Sequence, residues 1–87
     1  MILIRRVKGS SMEPTIADGS LVVVAKYLKP KLGDIILVEY NKVDYIKRLK
    51  KIESNRVYVS ADNFMGSDSR IWGWLPSASI KGRVILR

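Results

Sequence analysis

Two adjacent serines on a rigid turn and one inward-facing lysine are the residues of this chain whose types and spacing could do chemistry. The serines lie in Gly9-Ser10-Ser11-Met12-Glu13-Pro14-Thr15-Ile16, closed by Asp18-Gly19 just before the apolar run Leu21 to Ala25. Glycine admits positive φ, serine hydroxyls bond neighbouring amides and proline fixes φ, so this stretch is a turn that presents hydroxyls on a fixed frame. The lysine lies in Tyr45-Ile46-Lys47-Arg48-Leu49, which alternates as a strand does and places Lys47 on the face of Tyr45 and Leu49, with Arg48 on the other. On an apolar face the ammonium form is poorly hydrated, the pKa falls, and a neutral amine can take a proton from a nearby hydroxyl. The chain has no histidine and no cysteine. A Ser-His-Asp triad and a thiol nucleophile are therefore excluded, and a hydroxyl paired with an amine is the simplest nucleophile and base left. Each feature also has a plain reading: an ordinary turn, and one of nine lysines snorkelling at the surface.

A glycine-containing turn before a nucleophile also exposes backbone N–H groups, which suit an oxyanion; Gly9 and Ser10 are the residues placed for this, with the Ser10 hydroxyl as a further donor. Gly9 itself carries no side chain to contribute.

The blocks Gly-Ser-Ser-Met-Glu-Pro-Thr, Gly33-Asp34-Ile35, Tyr45-Ile46-Lys47-Arg48, Asp62-Asn63 with Asp68-Ser69-Arg70, Trp72-Gly73 and Gly82-Arg83-Val84 together resemble the type I signal peptidase family. They occur in that family's order and span nearly the whole chain. The resemblance implies that Ser11, directly before Met12, is the nucleophile and Lys47 its general base, an arrangement shared with LexA-type self-cleaving repressors. It implies that Met12 lines a pocket for the residue before the cut, favouring small side chains such as Ala. It also implies that Ser67 contacts the amine while Asp68 and Arg70 brace the site. Size and the lack of an anchor are similar to the nickel superoxide dismutase maturation proteases, which trim a short amino-terminal extension.

The elements that must position these residues are short. Met1 to Lys8 and Ser20 to Tyr27 read as strands flanking the serine turn. Pro30 and Gly33 break the pattern before a strand over Ile35 to Tyr40, and Asn41-Lys42 fits a tight hairpin turn into Val43 to Ile52. A second turn, Glu53-Ser54-Asn55, leads to Arg56 to Ser60. Ala61 to Arg70 is a polar loop long enough to suggest a function. Trp72 and Trp74 read first as core, with a substrate wall or a membrane-interface contact left open by the sequence; Ser77 to Ser79 read as a turn, and Ile80 to Leu86 as a closing strand. The expected fold is all-β: a single domain over residues 1–87, of antiparallel strands coiled into a barrel-like sheet around one core.

Composition bounds the partners. Sixteen basic residues against eight acidic ones give a formal charge of +8, which suits an anionic partner such as nucleic acid, an acidic protein or the head groups of an anionic membrane contacted peripherally, and is also explained by solubility alone. No apolar run reaches the length of a membrane span, and Met1-Ile2-Leu3-Ile4 followed by Arg5-Arg6 is not a signal peptide. A soluble, cytoplasmic protein is expected, or a membrane-associated one if an anchor precedes Met1, as it does in bacterial signal peptidases. The expected function is a serine endopeptidase that removes an amino-terminal extension from a protein or peptide with small residues before the cut, needing no metal and no cofactor. A nickel superoxide dismutase precursor is the substrate suggested by resemblance, and a signal peptidase catalytic core is the close alternative. A small basic β-barrel binding nucleic acid through its tyrosines and tryptophans is the rival from another class, and nucleic acid is not the expected partner because it leaves the ordered motifs unexplained.

Overall fold

The computed structural model describes all residues from Met1 to Arg87. Seven strands form one antiparallel sheet: β1 (Ile2–Arg6), β2 (Leu21–Lys26), β3 (Ile35–Tyr40), β4 (Val43–Glu53), β5 (Arg56–Ser60), β6 (Leu75–Pro76) and β7 (Ile80–Leu86). Their order across the sheet is β1-β2-β7-β3-β4-β5-β6, and the sheet curls into a half-barrel whose two edges, β1 and β6, do not meet. The expected all-β architecture is observed. The closing strand does not lie at an edge: β7 inserts between β2 and β3, with register shifts at Val23/Val24 and at Leu37/Val38.

Local chemistry explains the hairpins. Asn41 and Lys42, between β3 and β4, both adopt positive φ (51° and 65°), the twist a two-residue hairpin turn needs to match that of its strands. β4 and β5 are then joined through Ser54, again at positive φ. The pairing of β3 with β4 sets Ile36 opposite Lys47 and Ile35 opposite Arg48.

The single core expected is instead two clusters separated by β3. Ile35 and Leu37 point to one side, where they join Val7, Met12, Ile16, Val22, Val24 and Ile46. Ile36 and Val38 point to the other, with Leu49, Val57, Val59 and Leu75. A strand buried on both faces reads as a continuous apolar run rather than an alternation, which is what Ile35-Ile36-Leu37-Val38 is. The serine turn caps the first cluster, while Lys47 belongs to the face of the second.

The polar loop ends earlier than expected, because Ser69–Trp72 forms one helical turn, α1. Asp68 caps it, accepting the Arg70 N–H at 2.9 Å. Ser77–Ser79 is a 3-10 turn leading into β7.

Candidate active site

The serine turn is held at its base and by its apolar residues. The Val7 N–H donates to the Ser20 carbonyl (2.8 Å) and the Gly19 N–H to the Val7 carbonyl (2.7 Å), so the segment leaves and rejoins the sheet at one point. Gly9 adopts φ +88°, a region that disfavours any side chain, and its N–H, expected to face an oxyanion, instead donates to Asp18 Oδ1 at 2.8 Å. Met12 is 0% exposed and Ile16 is buried beside it in the first cluster. Met12 therefore anchors the turn from below and borders none of the surface cavities, where the resemblance implied a pocket wall. Ser10 is left exposed and Ser11 half-buried on the outer side. The N–H groups of Ser10 and Ser11 have no acceptor within the chain.

Ser11 borders a cavity of about 290 Å³, with the buried Val7, Leu37 and Ile46 as its floor, Tyr45 in its wall, and Lys8 and Asp44 at its rim.

Lys47 is 2% exposed, the largest of the fully buried side chains. Its Nζ lies 5.6 Å from the ring centre of Tyr45 and 5.5 Å from that of Trp72. Trp72, delivered by α1, is itself stacked on Tyr40 with centroids 4.5 Å apart. Desolvation in this aromatic sleeve pushes the amine below its ordinary pKa of 10.5, and the charge of Asp68 reverses part of that fall.

Ser11 and Lys47 are not hydrogen-bonded to each other, yet two features tie them into one neighbourhood. Tyr45 lies both in the wall of the Ser11 cavity and beneath the Lys47 amine. The loop from Ala61 to Asp68 reaches both as well. The Asn63 N–H donates to the Ser11 carbonyl (2.8 Å), Asn63 Nδ2 to the Ser10 carbonyl (3.1 Å), and Asp68 acts on Lys47 through its charge.

Asp68 is 1% exposed, so it is no solvated surface carboxylate. Burial alone would push its carboxyl up. Hydrogen bonds from Arg70 Nε (2.9 Å), the Ala61 N–H (2.8 Å) and the Arg70 N–H outweigh that and hold it below the usual carboxylate range. Arg70 also donates to the carbonyls of Phe64 and Gly66, closing the loop upon itself. Ser67, expected at the amine, is exposed and makes no side-chain hydrogen bond. Its neighbour Ser69 is the buried one, and its Oγ accepts the Val59 N–H (2.9 Å).

Asp68→Asn is expected to cost about 2–4 kcal/mol, because the amide turns a donor toward the Ala61 or Arg70 N–H and one buried N–H loses its acceptor. In wild type the stabilisation from the depressed carboxyl is complete above the unfolded carboxylate pKa and is lost as pH falls through the folded one. The same substitution removes the charge that holds the Lys47 pKa up, so the Lys47 midpoint should move further down. Urea unfolding reads the first effect, and a pH titration of the Lys47 side-chain NMR signal reads the second; an unmoved midpoint would separate Asp68 from the amine.

Two contributors take their roles only in the folded chain. Gly66 packs so closely that a Cβ there would stand 2.6 Å from Ser11 Cβ and 2.9 Å from Ser11 Cα. Gly66→Ala must therefore displace the loop or the serine, and a loss of about 1–3 kcal/mol in denaturant unfolding is expected. The second is a network around Asp62. Arg48 grips both Asp62 oxygens (2.9 and 2.7 Å) and the Gly33 carbonyl (2.6 Å), while Thr15 Oγ1 donates to Asp62 Oδ2. The bidentate bond from Arg48 leads in holding the Asp62 carboxyl down. It links the serine turn, the strand that carries Lys47 and the polar loop.

The sequence model of the family described as Peptidase S24-like matches residues 2–85, from the first strand to the last. No curated protein matches the chain.

Proposed function

This chain belongs to the Peptidase S24-like family, the LexA- and signal-peptidase-type serine peptidases, and from that membership we propose that it is a serine endopeptidase working through Ser11 and Lys47. The neutral Lys47 amine takes the hydroxyl proton of Ser11, and the freed oxygen attacks the carbonyl of a peptide bond. The resulting ammonium gives its proton to the departing nitrogen, leaving an acyl group on Ser11. Water, deprotonated by the same amine, then releases the acid. The unpartnered N–H groups of Ser10 and Ser11 are the donors proposed for the oxyanion.

The observation that carries this reading is the state of Lys47: a fully buried lysine with a lowered pKa, on a strand whose Tyr45 walls the cavity that Ser11 borders. A core that needed only volume at this position would be served better by an uncharged side chain, because burying an ammonium is costly. The substrate proposed is a protein whose amino-terminal extension is removed after small residues. Resemblance makes the precursor of a nickel superoxide dismutase the first to try, and a signal peptidase core would use the same chemistry. No helix is long and apolar enough to cross a membrane.

Peptides differing only in Ala or Phe before the cut test the proposal across pH 6 to 10. The Ala peptide is expected to be cleaved at least about tenfold better. Its rate should rise with pH, following the deprotonation of Lys47. Absence of cleavage at every pH, or a rate flat across the range while Lys47 titrates within it, sinks the reading.

A further inference from the structure

A groove of about 720 Å³, larger than the cavity at Ser11, lies at the end of the half-barrel where β2 runs into Tyr27–Pro30 and β4 turns into β5. Leu3, Leu28, Ile52 and Ile80 give it an apolar lining, and Leu28 and Ile52 keep 40% and 48% of their surface open. Four cationic residues line it, Arg5, Lys26, Lys29 and Lys81, and no acidic one does. Lys81 is already neutralised by Glu39 and Asp44, at 3.0 and 2.9 Å. Arg5, Lys26 and Lys29 have no carboxylate partner in the protein. Arg5 lines both this groove and the cavity at Ser11. Leu3 and Arg5 share one face of β1 and Val7 continues it, so a single strand face leads from the groove to the serine.

We infer that the groove binds an acidic, partly apolar segment of the substrate polypeptide, lying beyond the residues seated at Ser11. The inference rests on the peptidase reading for calling that polypeptide a substrate. Charge complementarity sets the acidic character, since three free cations surround a site with no acid of its own. The exposed leucine and isoleucine set the apolar character. The recess between a loop and a hairpin suits a chain that can enter it, whereas a bilayer presents a flat surface.

Fluorescent peptides carrying one cleavable sequence and a twelve-residue extension, placed before or after it, test this with the full-length Ser11→Ala protein, where binding is read without turnover. The extension alternates Leu with Glu, with Gln or with Lys. On at least one side of the cut, the Glu peptide is expected to bind about tenfold tighter than the Gln peptide at low salt, with the advantage shrinking as salt rises. Lys26→Glu with Lys29→Glu should abolish that advantage while leaving wild-type turnover of a short peptide without extension unchanged; Lys29→Glu alone, on an exposed loop, should halve it or more. Equal binding of Glu and Gln peptides, or a preference that survives both substitutions, overturns the inference. So does salt-sensitive binding to phosphatidylserine-containing vesicles with no discrimination among peptides, which would assign the cations to a membrane. If the Glu preference holds but the wild-type protein cleaves no peptide, the groove's ligand class stands and the role given to Ser11 falls.

Discussion

Replacing Lys47 with methionine is expected to yield a protein with no peptidase activity that is more stable than wild type at pH 7. Methionine keeps most of the aliphatic length among Ile36, Leu49 and the rings of Tyr45 and Trp72, and it removes the ammonium from a site that desolvates it. Asp68 is not orphaned by the change, since Arg70 and the Ala61 N–H still satisfy it. The sign follows from linkage. A lysine pKa lower in the folded state means that the native protein binds fewer protons than the unfolded chain, so stability increases with pH between the folded and the unfolded values. The penalty is complete below the folded pKa and fades as pH climbs toward about 10.4. The gain from Lys47→Met should therefore be about 1–3 kcal/mol at pH 7 and shrink in alkali. Denaturant unfolding of both proteins at several pH values measures it. Equal stability throughout, with activity retained, would mean that Lys47 carries no desolvation cost and is not the base.

Ser11→Ala should lower peptide cleavage by a factor on the order of 10⁴ or more, the scale seen when a serine nucleophile is removed, with stability changed by less than about 0.5 kcal/mol. Neither serine hydroxyl is hydrogen-bonded within the chain, so neither contributes much to folding. Ser10 is exposed, and Ser10→Ala is expected to cost less than about tenfold through a lost donor near the oxyanion. The contrast between the two alanine variants is diagnostic. A dead Ser10→Ala beside an active Ser11→Ala would move the nucleophile by one residue.

Alternation and turn residues made the local elements legible. Ile35–Tyr40, Arg56–Ser60 and Ile80–Leu86 have the bounds expected of them, because turn residues precede each one: Gly33-Asp34, Ser54-Asn55 and Ser77 to Ser79. What the pattern does not contain is partner choice. Nothing within Ile80–Leu86 says that it will slot between β2 and β3, which depends on contacts far apart in sequence. Ile35 to Val38 does carry a signal, a continuous apolar run rather than an alternation, that β3 is buried on both faces, but not which residues form the cluster on each side. The two-residue strand Leu75–Pro76 is too short for any alternation to show. At the site, Ser11 and Lys47 stood out because an unusual residue type sat on a recognisable element. Ser67 was misjudged and Gly66 missed for one cause: a loop without periodicity offers no register, so which residue faces the serine is decided by folding around Asp68 and Arg70. The grip of Arg48 on Asp62 and of Asp62 on Thr15 joins three separate segments and exists only in the folded chain.

The pairing of Ser11 with Lys47 is tested most directly by trapping the acyl intermediate. The protein is mixed with a peptide ester at mildly alkaline pH, quenched in acid, and examined by intact mass and peptide mapping. The expected result is one acyl group, on Ser11, in wild type, and none in Ser11→Ala or Lys47→Met. An adduct on another residue, or one that forms on Ser11 as fast in Lys47→Met as in wild type, would contradict the account.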